Sequence, residues 1–263
     1  MRFFCRVVVA ASFGLFCAVL FGGCDRADQA GTGSPPAELT VAAASDLQAA
    51  FSEIARQFEE KRDCKVRITF GSTGQFAQQI EHGAPFDVFA AANVAYVDKL
   101  AARQRIIPGT TRVYARGRIV LAVSKSTGVA ATRLDDLAGS GIRHVAIANP
   151  AHAPYGLAAK QALERAGLWE QVQPKLVMGE NVRQTLQFVE TGNADAGIVA
   201  LSVADVPGIS FTAIDAALHD PIDQAIAVVA DTKNEPLARE FITLVTGADG
   251  RAILEKFGFE MPE

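Results

Sequence analysis

Four separate stretches of the chain share one pattern: a short apolar run, a small polar break built on Ser, Asn or Pro, and a helix start with no Lys or Arg before its first turn. They are Val41-Ala-Ala-Ala-Ser-Asp-Leu47, Ile68-Thr-Phe-Gly-Ser-Thr-Gly-Gln75, Val145-Ala-Ile-Ala-Asn-Pro-Ala-His-Ala-Pro-Tyr-Gly156 and Val177-Met-Gly-Glu-Asn-Val182. Strand, break and helix repeated in this way restrict the chain to α/β architectures. A helix N-terminus presents unpaired N–H groups and the positive end of the helix dipole, so four of them converging would hold an anion without any cationic side chain. The pattern implies an oxyanion binder.

The rest of the chain extends the alternation. Apolar runs at Leu39–Ala43, Val66–Phe70, Phe86–Ala90, Arg118–Val123, His144–Ala148, Lys175–Met178 and Ala196–Val199 read as strands. Between them Leu47, Ala50, Phe51, Ile54, Ala55 and Phe58 recur at helical spacing, and helices are expected over about Gln75–His82, Leu157–Ala166 and Val182–Thr191. Gly167 and Gly192 suit the left-handed position that closes the last two. Such alternation predicts mostly parallel sheets covered on both faces. After the extended stretch Asp220–Val229, helices from about Pro236 to Thr246 and Asp249 to Phe257 serve as cover. The economical arrangement is two doubly wound lobes, residues 38–115 plus 224–263 and residues 116–223. The chain then crosses between them near Thr111–Arg118 and near Asp220–Ala225, and these two crossings would supply the hinge. In such sheets ligands sit beyond the carboxyl ends of the strands, where all four breaks lie, two in each lobe.

The N-terminus sets the compartment. Arg2 and Arg6 precede an apolar run from Val7 to Gly23, shorter than the roughly 20 residues a spanning helix needs, so residues 1–23 read as a cleaved export signal. The run ends in Leu20-Phe-Gly-Gly-Cys24, which resembles a bacterial lipobox with Phe21 in place of the usual Leu; Cys24 would then carry the lipid. Asp25 resembles the residue that retains lipoproteins in the inner membrane. Residues 24–37, rich in Gly, Ser, Pro and Ala, form the tether. Losing the signal leaves 23 basic against 29 acidic residues, a formal charge of −6. Such a chain has no global field for anions or nucleic acid, so anion selectivity must be built locally.

Reaction chemistry is poorly represented. Only Cys64 remains in the folded part, and it reads as the semi-buried start of a strand. His82, His144, His152 and His219 show no ligand spacing with one another or with Cys64, so no protein-held metal or cofactor is expected. There is no G-x-S-x-G elbow, and Gly71-Ser-Thr-Gly74 lacks the Lys-Ser/Thr pair of a phosphate-binding loop.

Ala42-Ala-Ala-Ser-Asp-Leu47, Gly71-Ser-Thr-Gly-Gln75, Gly83-Ala-Pro-Phe-Asp-Val-Phe-Ala90, Asn149-Pro-Ala-His-Ala-Pro-Tyr-Gly156 and Glu180-Asn-Val-Arg183 occur in that order. From about Leu39 to the C-terminus the chain resembles the molybdate-binding components of bacterial ABC importers, which have the type II periplasmic binding-protein fold. The resemblance implies an exported, monomeric receptor that closes two lobes on molybdate or tungstate and delivers it to an inner-membrane ABC permease. It implies that Ser45 and Ser72 donate hydroxyl and amide hydrogens, helped by the Asp46 amide, and that Tyr155 and Val182 offer backbone N–H groups from the opposite wall. Many members place a Tyr just after the strand ending near Val199, where this chain has Ala200; Tyr155 is then expected to supply the missing hydroxyl. A receptor for another tetrahedral oxyanion such as sulfate, or an enzyme on the same bilobed fold, are the rival readings.

Each residue also has a purely structural explanation. Ser45 with Gln48 and Ser72 with Gln75 fit capping boxes. Tyr155 could be a loop aromatic and Val182 a buried first-turn residue, while Arg183, rotated about 100° from Val182, reads as a surface or lobe-bridging residue. The Asp46 carboxylate would repel a dianion, so it is expected to face away or to accept a backbone N–H.

Overall fold

The computed structural model describes residues 36–262; the expected export signal, Cys24 and nearly all of the expected tether lie outside the described residues. In chain order the elements are β1 (Ala37–Ala44), α1 (Gln48–Lys61), β2 (Cys64–Gly71), α2 (Thr73–Glu81), β3 (Val88–Ala91), α3 (Val94–Ala102), β4 (Arg112–Gly117), β5 (Ile119–Ser124), β6 (Val145–Ala148), α4 (Pro154–Arg165), α5 (Trp169–Val172), β7 (Leu176–Gly179), α6 (Val182–Glu190), β8 (Ala196–Ala200), α7 (Leu201–Ala204), β9 (Ile209–Ala213), β10 (Ile222–Val228), α8 (Glu235–Thr246) and α9 (Ala248–Lys256). A short 3-10 turn, Ser45–Leu47, joins β1 to α1.

The strands form two five-stranded sheets, ordered β2-β1-β3-β10-β4 and β7-β6-β8-β5-β9. Both are mixed, which corrects the expectation of mostly parallel sheets. β1 lies parallel between β2 and β3, and β6 parallel between β7 and β8, but β10 runs antiparallel to β3 and β4, and β5 antiparallel to β8 and β9. The cause is the double crossing. A strand entering a sheet directly from the other sheet, without a crossover helix on its own, is free to run antiparallel to the βαβ units already there.

The chain passes from the first sheet to the second at Arg118, between β4 and β5, and returns between β9 and β10. Arg112–Gly117, expected as a connecting segment, is instead a strand paired with β10, Gly117 facing Ile222 and Arg116 facing Asp223. The two connections therefore emerge side by side. β4, β9 and α3 are missed by apolar periodicity; β9 is exposed at four of its five residues, so its inward pattern is thin.

Strands buried on both faces carry the core. Val41, Ala42, Ala43, Val88, Phe89 and Ala90 in the first sheet, and Val145, Ala146, Ile147, Ile198 and Val199 in the second, are fully buried. α1 covers the first sheet with Phe51, Ile54 and Phe58, the periodic face read from the sequence; Phe51 and Phe58 both pack edge-on to Phe241 of α8. Cys64 opens β2 as a buried free thiol whose pKa is pushed up by burial, an inert packing residue.

Candidate anion site

The four breaks meet. One small cavity, with a free volume of about 10 Å³, is lined by Ala44, Ser45 and Asp46 ahead of α1, by Gly71, Ser72 and Thr73 at the start of α2, by Ala153, Pro154 and Tyr155 at the start of α4, and by Asn181 and Val182 at the start of α6, with Ala92 completing it. Two of these helices belong to each sheet. That space admits only a small species, far from the roughly 300–1,000 Å³ of sites for drug-sized molecules. All five residues named in the sequence as candidate donors, Ser45, Asp46, Ser72, Tyr155 and Val182, are in its wall. No Lys, Arg or His lines it.

Three of the four N-termini are uncapped by side chains. The turn at Ser45, α2 and α4 make no side-chain cap hydrogen bond, and α4 has Pro154 in its first turn. The capping-box readings of Ser45 and Ser72 therefore fail. Only at α6 does a side chain cap: Asn181 Oδ1 accepts from the Arg183 and Gln184 N–H groups at 3.1 Å, leaving the Val182 N–H outside the cap. First-turn N–H groups free of side-chain caps are what an anion site of this kind requires, although at α2 the Gly74 N–H is taken by the His152 carbonyl.

A cross-cleft contact holds the walls together. The Ser72 hydroxyl, 2% exposed, donates to the His152 carbonyl at 2.8 Å and lies 2.8 Å from its Nδ1, while the Gly74 N–H donates to the same carbonyl at 2.9 Å. Gly74 is needed for this approach, since a Cβ there would stand 2.7 Å from the His152 oxygen. Nearby, Gln75 Nε2 donates to Glu180 at 2.7 Å and His152 Nε2 lies 3.6 Å from the same carboxylate oxygen. His152 joins the two halves although no metal-type spacing marked it, and no cluster of metal-ligating side chains occurs among the described residues.

Asp46 departs from expectation. Its carboxylate neither faces away nor accepts only backbone: Oδ2 accepts from the Tyr155 hydroxyl at 2.9 Å and from Gln224 Nε2 at 2.6 Å, while Oδ1 is buried without a partner. Gln224 also donates to Tyr155 Oη at 2.9 Å and accepts from Tyr114 at 2.8 Å; the Ser202 hydroxyl holds the Asp46 carbonyl at 3.0 Å. Burial pushes the Asp46 pKa up from 3.8 to about 6 against the opposing pull of these hydrogen bonds. Burial, and then the neighbouring Asp46, hold the Tyr155 phenol well above its ordinary range.

The Tyr155 hydroxyl is thus spent on Asp46, so it does not replace a donor absent at Ala200. Ala200 is fully buried at the end of β8 and is not in the cavity wall. What remains of Tyr155 for the cavity is its backbone N–H. Sequence reading missed Gln224 and Tyr114, which tie the site to β10 and β4; the signal available was a Gln inside the apolar run Ile222–Val228. Arg183 is exposed, in a separate groove with Gln48, Ser52 and Ser202, as expected of a surface residue.

Comparison with known proteins agrees with this geometry. The family profile described as "Bacterial extracellular solute-binding protein" matches residues 39–260. The molybdate-binding protein ModA of Azotobacter vinelandii is 37% identical over 231 residues, covering 85% of this chain and 90% of the relative. A putative ABC transporter substrate-binding lipoprotein, YvgL of Bacillus subtilis, is 31% identical, covering 92% and 93%. Among solved structures, the periplasmic molybdate-binding protein of Azotobacter vinelandii superposes with a TM-score of 0.80 at 33% identity, over 86% of this chain and 100% of that one. Two mixed sheets, helix N-termini gathered at one cation-free cavity and these likenesses agree: the chain belongs to the bacterial extracellular solute-binding proteins, in the family of the molybdate-binding proteins.

Proposed function

We propose that this protein captures molybdate or tungstate outside the inner membrane and hands it to an ABC permease. The observation that carries the reading is the convergence of four helix N-termini, from both sheets, on one cavity lined by hydroxyls and backbone rather than cations. Neutral donors hold a dehydrated dianion because each charge-assisted hydrogen bond contributes about 1.5–3 kcal/mol. Ser45, through hydroxyl and amide, and the N–H groups of Asp46, Ser72, Tyr155 and Val182 are the donors, the Ser72 hydroxyl being engaged by His152. Apart from the Asp46 carboxylate, engaged by Tyr155 and Gln224, the named groups offer only donors, so a protonated oxyanion such as hydrogen phosphate is penalised. The Azotobacter and Bacillus relatives, binding proteins by name, favour a receptor over an enzyme.

Because the donors come from both sheets, full coordination needs both walls in place, so ligand and closure stabilise each other. The strands β4 and β10 carry the two crossings and would bend. The protein acts as a monomer, tethered through a lipid on Cys24, with Asp25 directing retention in the inner membrane. A calorimetric panel of molybdate, tungstate, sulfate and phosphate tests the reading. Tight binding of the first two with phosphate rejected is expected, with compaction in small-angle scattering. Tight sulfate binding without molybdate binding would replace the ligand, and no binding of any of the four would overturn the function.

A further inference from the structure

The cavity wall contains one group that works against the proposed ligand. Asp46 is 2% exposed and in the wall, its Oδ1 has no partner, and no cation lines the site to offset it. An ionised, buried carboxylate needs hydrogen-bond donors on both oxygens; here Oδ2 takes two and Oδ1 none, so charge on Oδ1 is uncompensated and a proton there would remove it. A dianion brought against this wall adds like-charge repulsion to the burial that already favours the neutral form.

We propose that Asp46 is a proton-accepting residue of the anion site: as the dianion enters, Oδ1 takes one proton from solvent, so that capture is proton-linked. The inference rests on the anion reading of the cavity. Protonated Asp46 keeps its bonds from Tyr155 and Gln224, and so keeps α4 of the second sheet fastened to β1 and β10 of the first while the ligand is bound. Asp46 is here a positioning residue whose charge state tunes affinity, in addition to its backbone amide.

The surroundings isolate this titration. The groups against Asp46 are the phenols of Tyr114 on β4 and Tyr155 on α4, both pushed well above their ordinary range, the Gln224 amide on β10 and the Ser202 hydroxyl on α7. Ionisable side chains on the neighbouring elements are His152 and Glu180, held on Ser72 and Gln75, the Arg116–Asp223 pair on β4 and β10, and exposed Arg183 on α6.

The sign follows from linkage. A pKa higher in the bound than in the free state means affinity is greatest below the free value of about 6 and falls, by at most about tenfold per pH unit, until the bound value is passed. The test is titration with micromolar sodium molybdate at pH 5.5 to 8.5, at each pH in two buffers of different ionisation enthalpy. The wild type should take up a fraction of a proton rising toward one per ion near neutrality, and lose affinity as pH rises. Asp46→Asn should take up none and bind with a flat pH profile; proton uptake and slope unchanged in this variant would also overturn the proposal. Tyr155→Phe, which keeps the backbone N–H but removes a hydrogen bond that favours the carboxylate, should move the break in the wild-type profile to higher pH. Tight molybdate binding by the wild type without proton uptake overturns the proposal alone. Absence of molybdate binding at every pH overturns it together with the function it rests on.

Discussion

Asp46→Asn should stabilise the ligand-free protein at pH 8 and do almost nothing at pH 4. In the folded chain the Asp46 pKa is raised from 3.8 to about 6 by burial, while in the unfolded chain it returns to the ordinary value. Below 3.8 the acid is protonated in both states and costs nothing. Between 3.8 and about 6 the unfolded chain gives up its proton and the folded one keeps it, so stability falls by about 1.4 kcal/mol per pH unit. Above about 6 the loss is complete at about 3 kcal/mol. Asn has the same shape and can accept the Tyr155 and Gln224 hydrogen bonds through its carbonyl, but it has no charge to bury. Chemical denaturation of both proteins from pH 4 to 8, without molybdate, should give a stability difference that grows from near zero to about 3 kcal/mol, which for a domain of this size is roughly 6–12 °C in melting temperature. A difference that does not change with pH would refute the reasoning, because it would mean that Asp46 is not titrating inside the fold.

Three other outcomes are expected, the first two from the geometry and the last from the sequence. Ser45→Ala combined with Ser72→Ala should weaken molybdate binding at least about tenfold in calorimetry, since the first removes a charge-assisted donor contributing about 1.5–3 kcal/mol and the second the cross-cleft bond to His152, with circular dichroism unchanged; unchanged titration would return both serines to a structural role. Gly117→Ala should disturb the link between the halves, because the new Cβ would collide with Tyr155 Oη; lower affinity with little loss of secondary structure is expected, and wild-type affinity would show that the contact is slack. Cys24→Ala should abolish incorporation of labelled palmitate and leave an uncleaved precursor or a soluble protein, and equal membrane retention would point to another anchor.

The two halves of the problem were unequally legible in the chain. Helix starts are written locally: an apolar run, a small polar break and an amphipathic stretch suffice to place Ser45, Ser72, Tyr155 and Val182, and the observed helices begin within a few residues of the expected places. Sheet direction is not local. β5 and β10 are apolar runs like their parallel neighbours, and only the passage of the chain between sheets makes them antiparallel. Side-chain use was the least legible part. A Ser followed three residues later by a Gln looks like a cap, yet the Ser72 hydroxyl reaches His152, 80 residues away in sequence, and Gln75 reaches Glu180. The Asp46 carboxylate finds its partners 109 and 178 residues away. Capping rules describe what a side chain does when its neighbours in sequence are its neighbours in space. At a cleft closed by two sheets the nearest acceptors come from the far wall, so the polar residues there are released from local duty. That release is itself the physical signature of the site: first-turn N–H groups left uncapped, and hydroxyls and a carboxyl committed across the cleft, in a wall that carries no cation.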